Sequence, residues 1–212
     1  MATPAGSGQR THYPPAGRSP CPATLPGVSG SSIAPALLIA MPQLLDPNFR
    51  RAVVLLVHHD PEGTFGLVVN RPADIPIRTL CENLDIHWCG DTRAALGWGG
   101  PVQPNTGWVL LGDDAPPAIE DANEIAPGLS LAGSLDALRK IAGEPPERLR
   151  LVLGYAGWGP HQLEDELAQG AWLLAPARAD VVFDVEADAM WEHVVRSLGI
   201  DPSTLIATPG VH

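Results

Sequence analysis

The densest group of glycines and ionisable residues lies near position 160. Gly154, Gly157 and Gly159 follow the apolar run 149–153 and precede Glu164. A strand, then glycines, then a helix start can direct free backbone N–H groups at an anion. The spacing is not that of a dinucleotide motif, and no lysine follows as in a P-loop. We interpret the segment as a tight strand-to-helix turn, with an anion or nucleotide site as the alternative.

The polar residues after these glycines could in principle bind a metal. His161 and Asp165 are four residues apart and would share one helix face, with Glu164 beside them. Oxygen sites for Mg²⁺ or Ca²⁺ need more carboxylates than this, and zinc sites more often add cysteine or further histidine. We therefore expect a solvated acidic helix start, without a metal site or a cofactor.

Two adjacent histidines are the best candidates for acid–base chemistry. His58 and His59 lie at the end of a predicted strand and should point to opposite faces. An inward His59 near Asp60 could act as a general base. The chain has no G-x-S-x-G motif, and Cys81 falls in the predicted helix 77–84. We expect a polar pair at a strand end and no catalytic residues.

Arg71 is a candidate for anion recognition. It follows an apolar strand in the sequence Asn70-Arg71-Pro72, where a sheet opens toward its loops. A guanidinium can bind a carboxylate or a phosphate in a fork geometry. It can equally pair with one of the many acidic side chains of this chain.

Composition limits the classes of partner. The chain has 212 residues, with 13 Lys and Arg against 24 Asp and Glu and a formal charge of −11. Half of residues 1–32 are Pro, Gly or Ser, which predicts a disordered extension followed by one domain over 33–212. That domain carries a charge of −13 and should repel nucleic acid. Three cysteines without a C-x-x-C pair, and neither a signal peptide nor a membrane span in the sequence, favour the cytoplasm.

Local signals predict the elements that would position these residues. The apolar runs 53–57 and 65–69 flank Asp60-Pro61-Glu62-Gly63, which favours a type I turn and a hairpin. Both arms are apolar on both faces, so the hairpin should be central in its sheet.

Helix boundaries are also marked. Ser134 should cap a short helix that ends near Gly143, Pro160 should occupy the first position of a second helix, and Gly199 should end a late helix. Strands dominate the rest, which favours an α+β arrangement. Shorter strands are predicted at 37–40, 108–111, 171–174 and 181–183.

Five blocks in order resemble the YqgE/AlgH family: Leu38-Ile-Ala-Met-Pro, Asp46-Pro-Asn-Phe49, Gly66-Leu-Val-Val-Asn70-Arg71-Pro72, Gly99-Gly-Pro-Val-Gln103 and Gly154-Tyr-Ala-Gly-Trp-Gly-Pro-His-Gln-Leu-Glu164. The resemblance implies a bifurcated, mostly antiparallel β-sheet that forms a pseudo-barrel with flanking helices. It also implies a bacterial protein, and some members are described as transcriptional regulators. The chain departs from the family pattern at His58, where a glutamate is expected, and at Leu111, where a histidine is expected.

These observations favour a non-enzymatic, cytoplasmic binding or regulatory module. It would act through a protein partner or a small-molecule ligand rather than by direct binding to DNA. The alternative is a Mg²⁺-dependent nucleotide- or phosphate-binding enzyme that uses the turn at 154–159. The predicted binding surface consists of Asn70, Arg71, Gly100, Gly154, Tyr155, Gly157, Trp158, Gly159, His161 and Glu164.

Overall fold

The computed structural model describes residues 33–44, 46–117 and 119–205. The predicted disordered extension, 1–32, lies outside the described residues. In the part of the chain that the structure describes, no helix is long and apolar enough to cross a membrane.

Strands and helices follow one another without a regular βαβ alternation. The strands of the described chain are β1 (Ala36–Ala40), β2 (Val53–Asp60), β3 (Gly63–Val68), β4 (Pro72–Pro76), β5 (Ala95–Trp98), β6 (Val102–Leu111), β7 (Asn123–Ala126), β8 (Leu129–Ala132), β9 (Leu149–Trp158) and β10 (Trp172–Pro176). The helices are α1 (Ile77–Asn83), α2 (Leu135–Ala142), α3 (Gln162–Ala168), α4 (Ala179–Asp184), α5 (Ala187–Ser197) and α6 (Pro202–Leu205).

The strands form one sheet that divides at β9. Its main order is β10-β1-β2-β3-β9-β6-β8-β7, and β4 and β5 form a branch. β3 pairs with the carboxyl-terminal part of β9, whereas β5 runs parallel to β9 at Val152 and Leu153. The other pairings are antiparallel, and the sheet curls into a half-barrel. The α+β class and the bifurcated, mostly antiparallel sheet predicted from the sequence are confirmed.

The β2–β3 hairpin is central, as its apolar arms predict. Asp60 stabilises the turn, because its Oδ1 accepts hydrogen bonds from the backbone N–H groups of Glu62 and Gly63 at 2.8 and 3.1 Å. β1 and β9 flank the hairpin on its two sides. Leu55 and Leu56 are both fully buried, each in a different apolar cluster, so both faces of the hairpin are covered.

The helices cover the sheet and pack their apolar side chains against it. α4 and α5 pack on β1 and β2 in the largest cluster, while α1 and α2 pack against β6 and β9. α2 begins as predicted, because the Ser134 hydroxyl accepts a hydrogen bond from the Ala137 N–H at 3.0 Å. The late helix α5 also forms, and Gly199 follows it with a φ of +78°.

The predicted strand at 181–183 is wrong, because these residues lie in α4. A three-residue apolar run fits a strand or a buried helix face equally well. Here Val181 and Val182 are buried in the main cluster. The Arg150 side chain donates hydrogen bonds to the Val182 and Val185 carbonyls at the end of the helix, which favours the helical conformation.

Candidate functional site

The segment predicted as a glycine-rich turn is a strand. β9 continues to Trp158, and Gly157 pairs with Phe65 of β3. The turn begins only at Gly159. The sequence-based interpretation was wrong because glycine also serves where two backbones approach closely, and that need is invisible locally.

Gly100 and Gly154 are the two glycines at such an approach. A Cβ at Gly100 would lie 2.1 Å from the carbonyl carbon of Tyr155, and a Cβ at Gly154 would lie 2.3 Å from the Gly100 oxygen. Both also have positive φ, +151° and +74°. They allow the connection from β5 to β6 to pass directly against β9, which is where the sheet divides. Their role in this structure is backbone packing.

The start of α3 also differs from its prediction. The helix begins at Gln162, and Pro160 lies in the preceding turn. His161 is the residue before the helix and has a φ of +63°. The Gly159 N–H donates to the Gln162 Oε1 at 3.1 Å, so this donor is already bonded. The alternative, a phosphate site on a glycine-rich turn at 154–159, needs a loop there, but residues 154–158 belong to the strand β9. Among the described residues, no group of three or more His, Cys, Asp and Glu side chains could hold a metal.

Trp158 belongs to the core rather than to an exposed docking surface. Its side chain is buried, with 6% of the residue exposed, and its indole N–H donates to Glu166 at 3.0 Å. The Trp172 N–H donates to the same carboxylate oxygen at 2.7 Å, and Phe49 packs on both rings. Sequence reasoning missed Glu166, which is the acceptor that makes burial of two indoles possible.

Tyr155 is part of a second aromatic group. Its ring lies 5.1 Å from that of Phe65 and 6.4 Å from that of Trp108, measured between centroids. All three rings pack against the main apolar cluster. Core packing is thus the observed environment of the aromatic residues on β9.

A polar cluster lies where the β2–β3 hairpin meets α3; we call it the His59 cluster, and it consists of His58, His59, Asp60, Thr64, His161 and Glu164. His59 Nδ1 and Thr64 Oγ1 share a hydrogen bond of 2.7 Å, and His59 Nε2 lies 3.8 Å from Glu164 Oε1. His161 Nδ1 is 4.0 Å from the same oxygen. His58 Nε2 pairs with Asp60 Oδ2 at 2.8 Å, so the histidine that bonds this carboxylate is His58 and not His59, the residue considered as a general base.

The His59 cluster connects the β2–β3 hairpin with α3. The two adjacent histidines have different partners, and His59 is the more buried, with 13% of its side chain exposed against 36% for His58. Thr64, which His59 bonds, is itself buried. The cluster therefore links the hairpin to α3. The Thr64 hydroxyl is buried and bonded to His59, so little of it is accessible to a substrate.

Acidification should weaken the turn at Asp60. The hydrogen bond from His58 lowers the pKa of the Asp60 carboxyl, desolvation opposes it, and the backbone donors of Glu62 and Gly63 lower it further. A carboxyl whose pKa is lower in the folded state stabilises the fold above its unfolded pKa, and this contribution is lost as pH falls through the folded pKa. We expect the urea midpoint of the wild type to fall more between pH 6 and pH 3 than that of Asp60→Asn. Equal losses would contradict the prediction.

Asn70 and Arg71 lie at the opposite end of the hairpin. Asn70 Oδ1 accepts from the Val53 N–H at 2.8 Å, and its amide donates to the Arg51 carbonyl at 3.0 Å, so Asn70 fixes the start of β2. Arg71 donates to the Arg50 carbonyl. Val53 and His59 are six residues apart along the strand, about 20 Å. Arg71 and Glu164 thus belong to two separate regions of the predicted binding surface.

Arg71 lines a cleft of about 170 Å³, which we call the Arg71 cleft. It lies where the β4–β5 branch meets β9 and the first residue of α5, and most of its wall is apolar. Sequence reasoning missed Arg150, although a single arginine inside the apolar run 149–153 was an available signal. The lining residues are Val69, Arg71, Pro72, Ile77, Ala94, Ala95, Leu96, Gly97, Leu149, Arg150, Leu151, Val152 and Ala187.

Arg150 is the most unusual charge in this region. Desolvation by burial lowers the pKa of its guanidinium, and the charge of Glu186 opposes that shift. Its Nε and Nη2 donate to the Val182 and Val185 carbonyls. The cleft therefore combines apolar walls with two cations that are bonded to carbonyl groups, an arrangement that can bind an anion with an apolar body.

Comparisons with known proteins agree with this fold. The family model described as AlgH-like matches residues 37–203. A UPF0301 protein of Myxococcus xanthus is 43% identical over 183 residues, which are 85% of this chain and 99% of the relative. A UPF0301 protein of Ruegeria pomeroyi is 41% identical over 82% of this chain and 96% of its own length.

A solved structure extends the comparison to three dimensions. The solution structure of the AlgH protein from Pseudomonas aeruginosa superposes with a TM-score of 0.68 at 33% sequence identity. The match covers 89% of this chain and 100% of AlgH. The divided sheet, the nearly complete coverage of the relatives and the family match lead to one conclusion: this chain belongs to the AlgH-like family, also known as YqgE/AlgH.

Proposed function

We propose that the protein is a non-enzymatic binding module of the cytoplasm that acts in regulation through a ligand or a protein partner. The Arg71 cleft is the observation that carries this proposal. It is a small, concave and mostly apolar space whose lining residues include Arg71 and Arg150, and small-molecule sites share this combination of apolar wall with a few polar groups. The regulatory role is consistent with family members described as transcriptional regulators.

The surroundings of Thr64 and of the histidines in the His59 cluster support a binding role rather than catalysis. Thr64 is buried and bonded to His59, and the His59 cluster joins the hairpin to α3. The acidic charge of −13 over residues 33–212 disfavours direct contact with a phosphate backbone. Regulation would therefore proceed through a partner, and specific nanomolar DNA binding at physiological salt would contradict this part of the proposal.

Filling the cleft should abolish ligand binding. Ala187 lines the cleft at the start of α5, so Ala187→Leu should occupy part of its volume. In a thermal-shift screen of small metabolites, we expect compounds that raise the Tm of the wild type to lose their effect in Ala187→Leu. At 100 times its Kd, a ligand should stabilise the wild type by about 2.7 kcal/mol.

Ala189→Leu is the matched control, because Ala189 is exposed on the same helix and does not line the cleft. It should respond to ligands like the wild type. A screen without any hit, or hits that persist in Ala187→Leu, would contradict the proposal that this cleft is the binding site.

A further inference from the structure

The arginines of the Arg71 cleft differ from most others in the described chain. Seven described arginines form ion pairs with carboxylates: Arg51, Arg78, Arg93, Arg139, Arg148, Arg178 and Arg196. Arg71 and Arg150 donate their hydrogen bonds to backbone carbonyls instead. Among the described arginines Arg50 also has no ion pair, and what distinguishes Arg71 and Arg150 is that both line the same cleft.

Of the two arginines, Arg150 is the one whose charge is desolvated. Arg150 is partly buried, and desolvating a guanidinium costs free energy unless its charge is compensated. The carbonyls at the end of α4 compensate part of it, and Glu186, an exposed carboxylate, acts on it through its charge. Two of the five N–H donors of Arg150 are used by these carbonyls, which leaves three donors that these bonds do not occupy.

The size and walls of the cleft restrict the rest of the ligand. A volume of about 170 Å³ is close to that of a protein cavity that accepts benzene. Ile77, Leu96 and Leu151 supply apolar wall on different elements. The ligand should therefore have a compact apolar body about as large as benzene.

We propose that the Arg71 cleft binds a small monocarboxylate, with its carboxylate directed at Arg71 and Arg150 and its apolar body against β5 and β9. This inference rests on the proposed function and names the ligand class for the same cleft. A single negative charge fits better than a phosphate dianion, because Glu186 and the net charge of the domain oppose a second one.

The test is a calorimetric titration of the full chain with benzoate and 3-methylbutanoate, and with benzamide and inorganic phosphate as comparison probes. We expect both acids to bind and benzamide to bind at least about tenfold more weakly, because it lacks the charge. Arg71→Gln should weaken the acids by a similar factor. Arg78→Gln, which removes a cation outside the cleft on α1, should leave their affinity unchanged.

A second variant addresses Arg150 without leaving its site uncharged. Arg150→Lys retains the positive charge but loses the planar, forked set of N–H donors of the guanidinium, so its affinity for the acids should also fall. Circular dichroism of this variant shows whether α4 is retained. Benzamide binding as tightly as benzoate, or Arg71→Gln without effect, would overturn the inference. Phosphate binding that exceeds that of the acids would also overturn it, in favour of a phosphate site.

Failure of this inference can be distinguished from failure of the proposed function. If neither acid binds, the carboxylate assignment is wrong. The proposed function survives that result if another compound binds in a manner that Ala187→Leu abolishes. It falls if no binding depends on the cleft.

Discussion

Gly100→Ala is expected to destabilise the protein by about 3 kcal/mol or more, which is a large part of the stability of a typical domain. The new Cβ would lie 2.1 Å from the Tyr155 carbonyl carbon and 2.2 Å from its oxygen. These are backbone atoms of β9, which is paired on both edges and cannot move without disturbing β3 and β6. The φ of +151° adds strain for any residue with a side chain.

Gly143→Ala is the matched control for this substitution. Gly143 follows α2 with an ordinary helical φ of −74°, and a Cβ there would meet nothing within 4 Å. We expect an effect between zero and a stabilisation of about 1 kcal/mol, since alanine restricts the unfolded chain. Urea unfolding of both variants measures the difference. An unfolding midpoint for Gly100→Ala close to that of the wild type would show that the β5–β6 connection does not approach β9 as described.

Trp191→Ala should cost about 3 to 5 kcal/mol. Trp191 is only 1% exposed, and its side chain packs from α5 onto the sheet in the main apolar cluster. Its indole N–H donates to the Ala40 carbonyl at 2.8 Å, and the Arg51 guanidinium lies 4.7 Å from the ring centroid. The substitution removes all three contributions and leaves a cavity beside β1.

Trp191→Phe separates the hydrogen bond from the packing. It retains most of the apolar volume and leaves the Ala40 carbonyl without its donor, so we expect a loss of about 1 to 3 kcal/mol. Equilibrium denaturation should therefore rank the wild type above Trp191→Phe and Trp191→Ala last. Equal stability of the two variants would mean that the volume of the ring contributes little.

The elements that the sequence predicts well are those with chemical signals at their ends. Asp60 and Gly63 mark the hairpin turn, Ser134 caps α2, and Gly199 follows α5. Each of these interactions joins residues a few positions apart. The central place of the hairpin was also predictable, because apolar residues on both faces require cover on both faces.

The wrong predictions concern residues with more than one physical use. Glycines near position 154 suggested a turn, and the structure uses them for close contact between backbones. The apolar residues at 181–183 suggested a strand, and they form a buried helix face. Trp158 suggested a docking surface, and the Glu166 carboxylate makes its burial possible. In each case the outcome depends on a contact with another part of the fold, and the local sequence pattern does not show that contact.

Local chemistry thus determined the turn, the helix caps, the acidic character of the chain and the family resemblance. Tertiary structure alone decided which of the candidate residues share a site. It placed Arg71 at one end of β2 and Glu164 at the other, and it brought Arg150 from β9 to the cleft that Arg71 lines. The physical reason is that strand pairing depends on burial summed over the whole sheet, whereas caps and turns depend on hydrogen bonds between near neighbours.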